Sequence, residues 1–126
     1  MIVVDASVLI AHLDERDAQH EHAVERLLEI AEHALACSPI TLAEVLVGPA
    51  RGGRLDAARQ AIADLGVAEI PLATDAASRL ASLRAETNLK LPDCCVLLAA
   101  QDAGADSVLT LDDRLKREAS RLGLGE

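Results

Sequence analysis

Short, unbroken apolar runs alternate along this chain with longer stretches whose apolar residues recur every three or four positions. Ile2–Val4 is a β-branched run that Asp5 interrupts. Leu35–Ser38, Val67–Pro71 and Ser107–Thr110 are further runs of strand length. Between them the helical period dominates. It predicts helices over Ala6–Leu13, Asp17–Leu35, Ile40–Val47, Arg54–Leu65, from Thr74 or Asp75 to Thr87, Pro92–Ala103 and Asp112–Leu122. In the second, Ala23, Leu27, Leu28, Ile30, Ala31 and Leu35 supply the apolar face. In the fifth, Ala77, Leu80, Ala81 and Leu83 do so. Pro39 suits a helix start, Gly48-Pro49 is expected to stop that helix, and Gly52-Gly53 marks a turn. Gly66, Gly104 and Gly123 close the helices before them.

Strands alternating with helices imply an α/β fold: a short, mostly parallel sheet of four or five strands flanked by helices on both faces. Sites in such folds form at the carboxyl ends of the strands. At 126 residues the chain is expected to be a single domain, residues 1–126, with no linker. A chain this long buries about two-thirds of its unfolded surface, enough for a core without disulfides or a structural metal.

Composition removes several functions. Apolar residues make up 51% and charged residues 26%, a balance that excludes disorder. Phe, Trp and Tyr are absent, which excludes aromatic stacking platforms for single-stranded nucleic acid. Ala (24) and Leu (21) fill the core instead. No apolar run approaches the ~20 residues of a membrane span, and the start MIVVD has no basic region or cleavage site, so a cytoplasmic protein is expected. Net charge is −9, with 2 basic and 9 acidic residues in 1–50. Such a chain repels phosphate on average, so a nucleic-acid partner needs a local basic patch or a bridging metal. Cys37, Cys94 and Cys95 show no ligand spacing and read as free thiols.

Four acids stand beside the apolar runs. Asp5 follows Ile2–Val4, Glu44 lies inside the otherwise uncharged run Ser38–Ala50, Asp93 begins a helix in Leu91-Pro92-Asp93, and Asp112 follows Ser107–Thr110. They are expected to be buried, and a buried carboxylate needs a partner. No basic residue adjoins Asp5 or Glu44, so the acids are expected to meet with a cation between them. Close carboxylates repel and hold protons; a hard divalent ion with oxygen ligands removes the conflict. It also lowers the pKa of a water that can attack a phosphodiester.

The chain resembles the PIN domain, and within it the VapC-type toxins of bacterial toxin–antitoxin pairs. The resemblance rests on Val4-Asp5-Ala6-Ser7-Val8-Leu9-Ile10, on Ser38-Pro39-Ile40-Thr41-Leu42-Ala43-Glu44-Val45, on Leu91-Pro92-Asp93 before an Ala-rich helix, and on Leu109-Thr110-Leu111-Asp112. It spans nearly the whole chain. It places the family's four acids on Asp5, Glu44, Asp93 and Asp112, with Ser7 and Thr110 as supporting hydroxyls. It implies a Mg²⁺- or Mn²⁺-dependent endoribonuclease, often dimeric, inhibited by a small cognate antitoxin of VapB type. Of the four, Asp5 and Asp93 are expected to be the most direct metal ligands. Arg114 and Leu115 stand where many relatives carry an acid and Phe, and Asp113 competes with Asp112 for the fourth position. The Gly-rich end Leu122–Glu126 is poor material for a fifth strand.

Simpler readings exist for single residues. Asp5, Asp93 and Asp112 all sit where helices start and each can cap one; mid-helix Glu44 cannot. Cys94-Cys95 reads as helix packing, and His12, His20, His22 and His33 as surface residues. Arg114, Lys116, Arg117 and Arg121 read as cations late in a helix, or as a phosphate-contacting patch at the rim of the acid site. Arg51 and Arg54 beside Gly52-Gly53 form a possible second patch. Ile40–Val47 and Ala73–Leu83 are the candidate homodimer surfaces. A haloacid-dehalogenase-like phosphatase needs an acid where Ser7 stands, and a receiver domain needs acids and a Lys that this chain lacks. A PIN scaffold that no longer cuts and serves as a protein-interaction module is the remaining alternative.

Overall fold

The four strand-length runs become β1 (Ile2–Val4), β2 (Leu35–Cys37), β3 (Val67–Glu69) and β4 (Ser107–Leu109), three residues each. The computed structural model describes residues 1–126. All pairings are parallel and the order is β3-β2-β1-β4. Seven helices connect and cover them: α1 (Ala6–Leu13), α2 (His20–Glu29), α3 (Pro39–Arg51), α4 (Leu55–Asp64), α5 (Ala76–Thr87), α6 (Leu91–Ala103) and α7 (Asp113–Arg121).

The strand pleat divides the core. Val3 points to one face with Ala36 and Val108, against the apolar sides of α5, α6 and α7. Ile2 and Val4 point to the other with Leu35 and Leu109, against α1, α2, Val45 of α3 and Ile62 of α4. Burial on both faces explains why these strands are continuously apolar. Edge strand β3 is the exception, with Ala68 and Glu69 exposed.

A fifth strand does not form. Leu124 accepts one bond from the Val108 N–H (2.9 Å) along the free edge of β4. The left-handed Gly123 turns the chain away from extended pairing.

Three helix expectations are corrected. The long second helix shrinks to His20–Glu29. The Asp17 side chain accepts the Gln19 N–H (2.8 Å) and its carbonyl accepts the His20 N–H (3.0 Å), so a turn precedes the helix. Turn bonds at 28–33 end it early, leaving Leu28 70% exposed. Helix α3 runs through Gly48-Pro49 to Arg51. Pro49 removes one bond in the final turn, and the remaining carbonyls are satisfied: Gly52 N–H donates to Gly48 O (3.1 Å) and Arg54 N–H to Pro49 O (2.8 Å). On α5, Ala77 and Ala81 face solvent; Ala76, Leu83 and Thr87 form the buried side.

Two histidines also depart from the surface expectation. His20 Nδ1 meets the Ala11 carbonyl at 2.7 Å, while half-buried His12 keeps a buried Nδ1 without a partner. The three cysteines are free and buried as expected. Burial pushes the Cys37 thiol up to about 11, so it carries no thiolate at neutral pH.

Candidate active site

The strand order reverses at β1: the chain steps outward to β2 and β3, then returns to lay β4 on the other side of β1. Open parallel sheets bind ligands at such a switch, beyond the strand carboxyl ends. Asp5 leaves β1 there, and Thr110 and Asp112 leave β4 beside it.

Asp5 is the buried acid, 5% exposed. It occupies the N-cap position of α1 but its side chain makes no cap bond. Instead one oxygen, Oδ2, accepts two hydroxyls: Ser7 Oγ (2.8 Å) and Thr110 Oγ1 (2.8 Å). Each hydroxyl is aimed from behind by a main-chain donor. Leu111 N–H donates to Ser7 Oγ (3.0 Å) and Asp112 N–H to Thr110 Oγ1 (3.0 Å). A hydroxyl that accepts a backbone N–H has its own proton left to give. The two relays therefore lock Oδ2 and leave Oδ1 free of any hydrogen bond.

Asp112 does cap α7, its Oδ1 accepting the Leu115 N–H (2.9 Å). Asp93 does not cap α6; Lys90 holds that position and Asp93 lies in the first turn. Capping thus accounts for one of the three aspartates. The expectation that all four acids are buried is corrected: Asp93 is half-buried, and Glu44 and Asp112 are exposed.

The acids nevertheless act on one another. Burial first, then the charges of Asp5 and Asp93, raise the Glu44 pKa. Burial first, then Asp5 and Asp112, raise that of Asp93, partly offset by Lys90 and Arg114. It is Asp112, not Asp113, whose charge bears on Asp93. None of the four acids belongs to the ion pairs of the protein, which join the N-terminus, Arg26, Arg79 and Arg121 to other acids.

As the side chains stand, no three of these groups form a ready ligand set for one ion. The donor chemistry still fits a hard divalent cation: only carboxylate oxygens, one of them held rigid with a free lone-pair face, and a mutual repulsion that Lys90 and Arg114 offset only in part. Glu44 is long and exposed and Asp112 exposed, so rotamer changes can bring them in.

The raised pKa values have a stability consequence. A carboxyl group whose pKa is higher folded than unfolded stabilises fully below its unfolded pKa, and that stability is lost as pH rises through the folded pKa. At neutral pH the metal-free protein therefore carries the penalty. Asp93→Asn and Glu44→Gln should each raise the thermal midpoint at pH 7.5 in EDTA. The gain should vanish toward pH 4. Thermal scans across that range check this; variants no more stable than wild type at pH 7.5 would contradict it.

Two features escaped the sequence reading. Lys90 is the first: it precedes Asp93 by three residues, a spacing that puts both on one helix face. The second is a groove of about 900 Å³ between α1, α3 and α4, lined by Ile10, Leu13, Val47, Arg16, Arg54 and, at the acid end, Glu44. Its parts lie on separate helices, so only folding assembles it.

The PIN domain profile matches residues 2–120. Among solved structures, VapC20 of Mycobacterium tuberculosis, a toxin that cleaves the sarcin–ricin loop, superposes with a TM-score of 0.75 at 20% identity over 98% of this chain and 96% of its own. A toxin–antitoxin complex from Klebsiella pneumoniae gives 0.69 at 28% identity over 89% and 87%. VapBC2 of Rickettsia felis, bound to a promoter DNA fragment, gives 0.69 at 17% identity over 93% and 92%. A search of curated proteins finds no match.

Proposed function

The chain belongs to the PIN domain family, and on that premise we propose that it is a Mg²⁺- or Mn²⁺-dependent endoribonuclease, the toxin of a VapBC-type pair. The observation that carries this reading is the doubly anchored Asp5, presenting one free oxygen beside three further carboxylates, none of them held in an ion pair. The similarity to toxins and toxin–antitoxin complexes supports the substrate class and the partner.

Asp5, Glu44, Asp93 and Asp112 would hold the ion. When bound it supplies a water of lowered pKa and compensates charge on the phosphate under attack. The chain's own part is placement. Ser7 and Thr110 keep the Asp5 carboxylate from rotating, so its free oxygen stays aimed at the site. Glu44, at the end of the groove, would complete the set of carboxylates that orients the attacking water. RNA specificity is left to loops and substrate shape, because no aromatic side chain reads a base.

The antitoxin's natural seat is the groove ending at Glu44. Ile10, Leu13 and Val47 offer an apolar wall, and Arg16 and Arg54 would receive acidic side chains of the partner. A helix lying there could reach the acids with an Arg. The reading also includes a homodimer: Ile40, Leu72 and Leu91 are exposed, between 38% and 50%.

The test is cleavage of total RNA by the purified protein in Mn²⁺ or Mg²⁺ against EDTA. Cleavage that appears with metal and disappears with chelator is expected. No cleavage together with no metal binding would favour the idle interaction scaffold; metal binding without cleavage would point to a narrow substrate missing from that RNA.

A further inference from the structure

Lys90 and Arg114 are oddly placed for cations. Lys90 is the N-cap of α6, and Arg114 is the second residue of α7. A helix N-terminus carries partial positive charge and disfavours a cation; basic residues gain at the opposite end, where Arg121 stands on α7. The expected role of Arg114 as a late-helix cation therefore fails. Both side chains are exposed, and neither takes part in an ion pair or side-chain hydrogen bond. By contrast Arg121 is bound to Glu118 (2.8 Å) and Glu86 (3.4 Å). Lys90 and Arg114 come from different helices yet both act through space on Asp93.

On the Glu44 side, the groove sets Asp14, Glu15 and Glu44 against Arg16 and Arg54. On the Asp93 side Lys90 and Arg114 stand with Asp93, Asp112 and Asp113, at the starts of α6 and α7. In a chain of net charge −9 a phosphodiester strand needs local cations to approach at all.

We propose that Lys90 and Arg114 form a clamp for the RNA phosphates flanking the scissile bond, where the strand passes over the starts of α6 and α7. This rests on the nuclease reading above. The two are positioning residues: they hold backbone, not base, and so set register on the substrate without reading sequence.

The test measures binding apart from cleavage. The probe is a fluorescein-labelled 12-nucleotide oligouridylate, titrated with the Asp5→Asn protein in Mg²⁺ over a range of KCl concentrations. Each phosphate contact on a single strand contributes about 0.7 to the slope of log K against log salt. Lys90→Gln and Arg114→Gln should each reduce the slope by about 0.7, and the double variant by about 1.4. Arg121→Gln removes the same charge from the same helix and should leave the slope as it is. In the cleaving protein the loss should fall on KM, with Mn²⁺ affinity retained. A slope unchanged in the double variant overturns the clamp, as does an equal reduction in Arg121→Gln or a parent protein with no salt-dependent binding. Wild type that binds with the expected slope but cuts no RNA overturns the nuclease reading and not the clamp.

Discussion

Asp5→Asn should lower metal-dependent RNA cleavage by at least about 10²-fold while the fold survives. The substitution keeps the shape of the side chain. Its amide oxygen can still accept the Ser7 and Thr110 hydroxyls that now reach Oδ2 at 2.8 Å. Its NH₂ group replaces the free oxygen, and an amide nitrogen neither ligates a hard cation nor carries charge. The thermal midpoint should stay close to wild type in EDTA, but the stabilisation by Mn²⁺ should shrink. For a site filled at 100 times its Kd that stabilisation is about 2.7 kcal/mol.

Removing the anchors should act differently. Ser7→Ala or Thr110→Val leaves both Asp5 oxygens in place but frees the carboxylate to turn, for which about 10- to 100-fold is expected. Each also strands a main-chain donor, Leu111 N–H or Asp112 N–H, at a cost of about 1–3 kcal/mol. Activity and stability thus fall together in the hydroxyl variants and separate in Asp5→Asn. Cleavage by pure Asp5→Asn at the wild-type rate would remove Asp5 from the mechanism, whatever the other acids do.

Leu97→Ala should cost about 2–5 kcal/mol, a large part of the roughly 5–15 kcal/mol that holds a typical domain together. Leu97 is fully buried, in a helix whose residues Cys94 to Ala100 are all buried. That helix packs on α5, α3, β1 and β4, so a void there cannot be filled from solvent or by one flexible neighbour. Leu28→Ala, at a position 70% exposed, should stay within about 0.5 kcal/mol. Urea unfolding with an unchanged m-value measures both. Because the buried helix carries Asp93 in its first turn, Leu97→Ala should also weaken Mn²⁺ binding below the unfolding transition. Equal stability of the two leucine variants would contradict the packing described above.

Much of the fold was legible in the residues. Three-residue strands buried on both faces must be apolar throughout, and the runs at Ile2, Leu35 and Ser107 announce themselves for that reason. Gly66, Gly104 and Gly123 mark helix ends because each adopts positive φ. The helical period was less reliable for Asp17–Leu35. Periodicity records which residues are apolar, whereas the ends of α2 depend on turn bonds made by Asp17, Leu28 and Ile30. Gly48-Pro49 misled for a related reason: a proline costs one bond, and near a helix end that loss is tolerated.

The candidate site divides along the same line. The sequence by itself determined the family, the parallel α/β architecture, and the placement of an acid beyond each of β1 and β4, because these follow from the order of residues along the chain. The tertiary structure decided that Asp5 alone is buried, that Ser7 and Thr110 converge on a single one of its oxygens, and that Asp112 caps a helix while Asp93 does not. It also decided that Lys90 and Arg114 stand unpaired on the Asp93 side of the site. The convergence on Asp5 joins residues 105 positions apart and is set when β4 docks beside β1. Local pattern specifies which groups are available; only packing specifies which of their atoms remain free.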